Sequence, residues 1–228
     1  MKKYELLTNE TINEDSRVLY RIVALKDFGD VKKGDKGGFI EGYKNLSQEG
    51  DCWIYVDSKV FENAEVSDNA KVIGLFGKIY GNAKIYGNAL VEGIVNIYGN
   101  ARIYGSAEVH EHAEIYDNAR IYGSAKIYGE TKIYEDSRVY DNALVEGNTE
   151  TFYEYLKIHG NAKIYGNSKI YDCVEVYDNA EIYEHAEIYD NAKIYGEVEI
   201  YDKVRVCANA EICDNEKIRG SIRVISFK

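Results

Sequence analysis

The chain has 228 residues and a formal net charge of −11, with 22 Tyr, 20 Gly and no Pro. That length suits one domain or a single elongated solenoid, and the acidic balance argues against general adhesion to nucleic acid or membranes, though not against a local basic stripe. So much tyrosine beside only six Phe and one Trp requires a repeat that carries it.

The N-terminal stretch MKKYELLTNETINEDS lacks the apolar run of a signal peptide, and no segment approaches the roughly 18 apolar residues of a membrane span. Cys52, Cys173, Cys207 and Cys213 show no CxxC spacing, which reads as reduced thiols in a cytoplasmic protein. Residues 1–50 carry no repeat and predict an irregular cap of short strands and turns, with 51–228 as the repeat domain.

From residue 54 an aliphatic side chain recurs every sixth position. The series runs from 54 to 72, resumes from 79 to 145, and resumes again from 158 to 224. The two phase shifts predict single-residue bulges near 73–78 and 146–152, and no long catalytic loop interrupts the series. Taking the aliphatic residue as position i, Ala is usual at i−2, Lys, Arg or Glu at i−1, and Tyr at i+1. Gly or Asp followed by Asn completes the unit. In a strand, i−2 and i share one face while i−1 and i+1 share the other. Ala and Ile therefore fill an interior, and charge and tyrosine face outward. Gly-Asn and Asp-Asn turn the chain because they reach left-handed backbone angles cheaply. A period of six fits neither 3.6 nor 3.5 and argues against helix.

This pattern resembles the hexapeptide-repeat superfamily of left-handed parallel β-helices, which includes many acyltransferases. The resemblance implies an all-β, single-stranded parallel β-helix, left-handed and triangular, with three hexapeptides per coil. The hand comes from the resemblance alone, since crossover connections ordinarily prefer the right hand. Tyr at i+1 departs from the family, where Gly, Ala, Asp or Glu is more usual. Residues 23–55, VALKDFGDVKKGDKGGFIEGYKNLSQEGDCWIY, are similar to the head of enterobacterial transferase-like hexapeptide proteins. About nine to ten coils follow, a rod of about 45 Å, and SIRVISFK is expected to close its far end, since open strand edges invite polymerisation.

With three hexads per coil, residues eighteen apart stack about 4.8 Å from one another. One outward column then reads Tyr80, Tyr98, Tyr116, Tyr134, Tyr153, Tyr171 and Tyr189. A second reads Tyr86, Tyr104, Tyr122, Tyr140, His159, Tyr177 and Tyr195. The third is broken: Glu92, His110, Tyr128 and Glu146, then Tyr165, Tyr183 and Tyr201. Such ladders have a structural reading, in which stacked rings shield the strands beneath. They also have a functional one, an aromatic platform for sugars, bases or another protein.

Beside the second column, the i−1 positions read Lys84, Arg102, Arg120, Arg138 and Lys157 without an acidic residue, although Glu is frequent at i−1 elsewhere. Stacked like charges repel, so the run costs stability unless an anion or acidic partner compensates. Together with Tyr86, Tyr104, Tyr122 and Tyr140 it forms the candidate binding stripe. The bland alternative is a repeat that simply favours Lys and Arg at that position. A weaker acidic–histidine patch gathers Glu92, His110, His112, Glu130 and Glu146 on the third face. Histidine among carboxylates can hold a divalent metal or act as a base. However, His110 occupies a Tyr position and His112 an Asn position, so both read as surface substitutions; neither a metal site nor a catalytic residue is assigned.

These features favour a non-enzymatic interaction, scaffold or inhibitor-type protein without cofactor. It would present its ladders to a partner, expected to be another protein, with an anionic ligand on the stripe. The resemblance implies the alternative: a trimeric acyltransferase with acetyl-CoA or another acyl-CoA between adjacent helices and a catalytic histidine near a loop. Proton transfer to an acceptor needs such a base, and no histidine stands outside the repeat context.

Overall fold

In the computed structural model, which describes residues 2–147, 150–152 and 156–225, the chain winds as a parallel β-solenoid of about ten turns. Each turn gives one short strand to each of three sheets: a first face of 13 strands, a second of nine and a third of ten. Among the described residues there is no α-helix, only a 3-10 turn at Tyr43–Asn45. Residues eighteen apart are paired, as in Ile85 to Ile103 to Ile121. The buried alternation is the expected one, with Ala101, Ile103, Ala119 and Ile121 all at 0% exposure. Where Thr131 and Ser168 replace the small Ala, each hydroxyl donates to a backbone carbonyl three residues back, at 2.7 and 2.8 Å, so the interior keeps no free polar group there.

The first insertion falls where the sequence places it. Val60 pairs with Ile79, nineteen residues on, and the extra residue pushes Leu75 and Phe76 out to 56% and 64% exposure. The second falls later than expected. Ile133 pairs with Thr151 at eighteen and Thr151 with Ile170 at nineteen, so the extra residue follows Thr151. Threonine in an aliphatic position hid that hexad. The same register sets Phe152 opposite Tyr171, giving Phe152 the column place expected of Tyr153, which lies outside the described residues.

Corners are built by the residue at i+2, held at positive φ: 73° at Gly105, 54° at Asp117. Its N–H is not part of the strand ladder. At most corners whose counterpart one turn earlier is acidic, the carboxylate accepts that N–H. Asp190 accepts from Ala208 at 2.8 Å, Asp202 from Gly220 at 2.8 Å, and Glu62 from Gly81 at 2.9 Å. The next position carries an amide ladder, Asn63–Asn82–Asn100–Asn118, with Nδ2···Oδ1 distances of 3.2, 3.1 and 3.0 Å.

The N-terminal segment is more regular than expected. Strands β1 (Tyr4–Glu14) and β2 (Arg17–Ala24) form an antiparallel hairpin, and β3 (Lys36–Ile40) joins it to the first face by pairing in parallel with Lys59–Val60. Asp15 and Ser16 sit at φ 46° and 63°, the positive pair that a two-residue hairpin turn demands. The hairpin folds onto the outside of the first face, where Leu19, Phe39 and Phe61 are buried together against Ile12 and Tyr80. Trp53, Tyr4 and Lys3 plug the open end. The Tyr4 hydroxyl donates to the Leu46 carbonyl at 2.6 Å, and the Lys3 ammonium to the Cys52 carbonyl at 2.9 Å. At the other end Arg223–Ile225 adds a last strand to the first face, with Ile222 and Ile225 exposed, so it extends the sheet and does not fold across it; residues 226–228 lie outside the described residues.

Glu14 pins the hairpin by pairing with Lys59 at 2.5 Å and with Lys78. Burial would raise its carboxyl, but hydrogen bonds from the two lysines outweigh that and hold it below the usual carboxylate range. A depressed folded-state value contributes stability that is present above the unfolded value and lost as pH falls through the folded one. Glu14→Gln is therefore expected to cost about 1 kcal/mol at neutral pH and to flatten the acid limb of stability, measured by urea unfolding between pH 3 and 7.

Candidate anion-binding stripe

The structure brings the expected stripe together. Lys84, Arg102, Arg120, Arg138 and Lys157 are in register on adjacent strands of the second face, one per turn. Carboxylates that sequence reasoning had not included cap both ends: Glu65 at 3.2 Å from Lys84 and Glu175 at 3.4 Å from Lys157. Their i−1 positions, eighteen or nineteen residues away, would have found them. Between them, among the described residues, no carboxylate lies within ion-pair distance of Arg102, Arg120 or Arg138, of which Arg102 and Arg138 are exposed and Arg120 half-buried.

Among the described residues, the basic residues at the same position on the third face are neutralised throughout, and on the first face most are, Lys169 and Arg223 being the exceptions. On the third face Lys126 pairs with Glu108 at 3.0 Å, Lys163 with Glu181 at 2.7 Å and Lys217 with Glu199 at 2.7 Å. On the first, Arg205 pairs with Glu187 at 2.8 Å. Three consecutive guanidinium groups stacked without a counter-charge thus stand apart from the third face, where each such lysine is paired, and they store repulsion.

The flanking tyrosines correct one expectation. Tyr86, Tyr104, Tyr122 and Tyr140 stack on one another with centroids 4.9 Å apart and planes within 2°. Their faces are occupied by each other, so the ladder offers edges and hydroxyls outward and no stacking platform for sugars or bases. Burial and the neighbouring phenols raise Tyr104 against the pull of Arg120 and Arg102. His159 continues the column, its ring between Tyr140 at 4.6 Å and Tyr177 at 5.1 Å, with Nε2 3.5 Å from Glu175.

The acidic–histidine patch comes together only in part. His110 stacks on Tyr128 at 4.7 Å and lies 3.3 Å from Glu92 and 3.5 Å from Glu108, a residue the sequence reading left out. Hydrogen bonding to Lys126 comes first in holding Glu108 below the usual carboxylate range. His112, Glu130 and Glu146 are exposed without a shared centre. Among the described residues no group of three or more His, Cys, Asp or Glu could hold a metal ion. Sequence reasoning also missed a groove of about 530 Å³ where the 26–35 segment overhangs the third face. Asp30 holds it there, accepting from the Tyr55 hydroxyl at 2.7 Å and from Lys71 at 2.9 Å.

With the geometry in place, comparisons agree on the class: a β-solenoid repeat protein of the kind the hexads suggest. A family model described as YdcK Beta solenoid repeat matches residues 97–111 and 113–129. The Escherichia coli (strain K12) protein named Uncharacterized acetyltransferase YdcK is 36% identical over 91 residues, 35% of this chain and 28% of that protein. The chain thus aligns with little more than a quarter of that relative's length. Among the described residues no helix is long and apolar enough to cross a membrane.

Two outcomes test the site's electrostatics. Arg120→Glu places an acid between two unpaired arginines and is expected to raise the melting temperature by about 1–3 °C, the reverse of the usual effect of mutation. In alkaline solution the ladder phenols resist ionisation, Tyr98 being pushed up to about 12 first by burial and then by Tyr116 and Tyr80. A raised phenol contributes stability below the ordinary value near 10 and loses it as pH climbs toward 12. Absorbance titration at about 295 nm should show tyrosine ionisation trailing unfolded controls.

Proposed function

We propose that the protein is a non-catalytic binding module whose second face engages an anionic partner. One observation carries this reading: Arg102, Arg120 and Arg138 are stacked and unpaired on consecutive turns, whereas the third face neutralises each lysine at the comparable position. A repeat that varied freely would relieve that repulsion by a single Glu, as it does at Glu65 and Glu175. A bound anion supplies the compensation, through guanidinium forks that match carboxylate, sulfate or phosphate bidentately.

The partial match to a relative named as an acetyltransferase supports a second reading, a trimeric acyl-CoA-dependent enzyme. Against it, His110 and His159 are stacked in ring columns with their Nε2 atoms buried, and so are poorly placed to take a proton from an acceptor. The two readings separate in one set of measurements. A binding module gains no more melting temperature from millimolar acetyl-CoA than from the same concentration of pyrophosphate. Its affinity for an immobilised polyanion falls at least tenfold in Arg102→Glu/Arg120→Glu/Arg138→Glu and weakens as salt rises. A trimer stabilised by acetyl-CoA, with polyanion binding unchanged in the variant, would instead favour the enzyme.

A further inference from the structure

We infer that the partner of the second face is a linear acidic polysaccharide carrying a carboxylate or sulfate on each sugar unit; this rests on the anion-binding reading above. The first ground is spacing. Arg102, Arg120 and Arg138 repeat once per turn in strict register, and adjacent strands lie about 4.8 Å apart. A chain of pyranose units with one anion per sugar repeats its charge over nearly the same length. Charge and guanidinium then share the same rise along the rod, and a chain that turns to bring successive anions to one side meets each arginine.

The second ground is the chemistry beside the arginines. On one side runs the amide ladder Asn82–Asn100–Asn118, each inner amide using one N–H in the ladder and keeping the other for a ligand. On the other side the corners carry the exposed Ser106 and Ser124. Between them lie the phenol edges. This is a surface of donors and acceptors suited to hydroxyl groups. Of the exposed large apolar side chains, Val56, Leu75, Phe76 and Ile94 lie away from the second face and Tyr43 stands at its N-terminal end before the arginines, whereas a protein partner would want an apolar centre to its interface.

The other polyanions fit less well. Single-stranded nucleic acid draws its affinity from bases stacked on ring faces, and here those faces are turned to one another. A flexible acidic peptide gives up more backbone freedom per residue than an exposed ion pair returns. A chain of rigid rings laid on a rigid solenoid loses less, because both sides are already straight.

The test uses the full chain and measures binding at low salt to polygalacturonate and dextran sulfate, which carry charge on every sugar. Hyaluronan, charged on alternate sugars, neutral dextran, poly-glutamate, polyphosphate and oligo-deoxythymidine serve as comparators. The expected result is binding to a fully charged glycan at least tenfold tighter than to hyaluronan or the other polyanions, with none to dextran. Arg102→Gln/Arg120→Gln/Arg138→Gln should lose at least tenfold of it while its dichroism spectrum stays native. If hyaluronan binds equally well, the register argument is wrong and the inference fails. Tighter binding of poly-glutamate, polyphosphate or the oligonucleotide, still lost in the variant, overturns the glycan assignment and leaves the stripe standing. Binding to none of them, or binding indifferent to the three arginines, overturns both.

Discussion

Everything in this molecule depends on the parallel ladder between turns, in which a residue meets its counterpart eighteen positions away. Backbone N–H and C=O groups of one turn are satisfied almost wholly by the next. That constraint forces the interior to repeat as well. A large aliphatic at i and a small residue two before it fill the space left by three strands meeting around one axis, and a larger pair would not fit. Once the spacing is set, side chains on the outside have no choice of neighbour. Tyrosine must lie on tyrosine, asparagine on asparagine, and arginine on arginine.

That lack of choice turns sequence columns into physical interactions. Where the column holds tyrosine, the result is a stack with parallel rings; where it holds asparagine, an amide chain; where it alternates sign, an ion pair. Stacking identical charges is the one case in which the geometry works against folding, so a column of arginines has to be explained by something other than the fold. The corner carboxylates show the reverse. Most of them reach forward to an N–H the ladder leaves over, so these acidic corners stabilise the turn that follows them.

Much of this was legible in the sequence because the repeat is nearly exact. The three faces, their columns, the buried Ala and Ile, and the register of the basic stripe follow from counting by six and by eighteen. The parts that were not legible broke the count or left it. Thr151 in an aliphatic place shifted the second insertion and moved Phe152 into a column expected of Tyr153. The hairpin formed by Tyr4–Glu14 and Arg17–Ala24 has no periodic signal, because its inner face packs on the solenoid's exterior and its long bulge between Leu7 and Thr11 spoils the alternation. The groove under Asp30 depends on contacts forty residues apart, which no local pattern announces. The stripe's end caps, Glu65 and Glu175, were present in the counted columns but lay just beyond the run that drew notice.

The phenol columns have a consequence of a different kind. Rings held face to face at 4.9 Å, as in Tyr86 to Tyr140 and Tyr165 to Tyr201, are close enough for excitation energy to pass from one phenol to the next. Light taken up by one ring migrates along the axis before it is emitted. The single tryptophan, Trp53, sits at the plugged end of the rod, apart from these columns. The molecule therefore carries its own optical gauge of axial order, one that fades when the columns come apart.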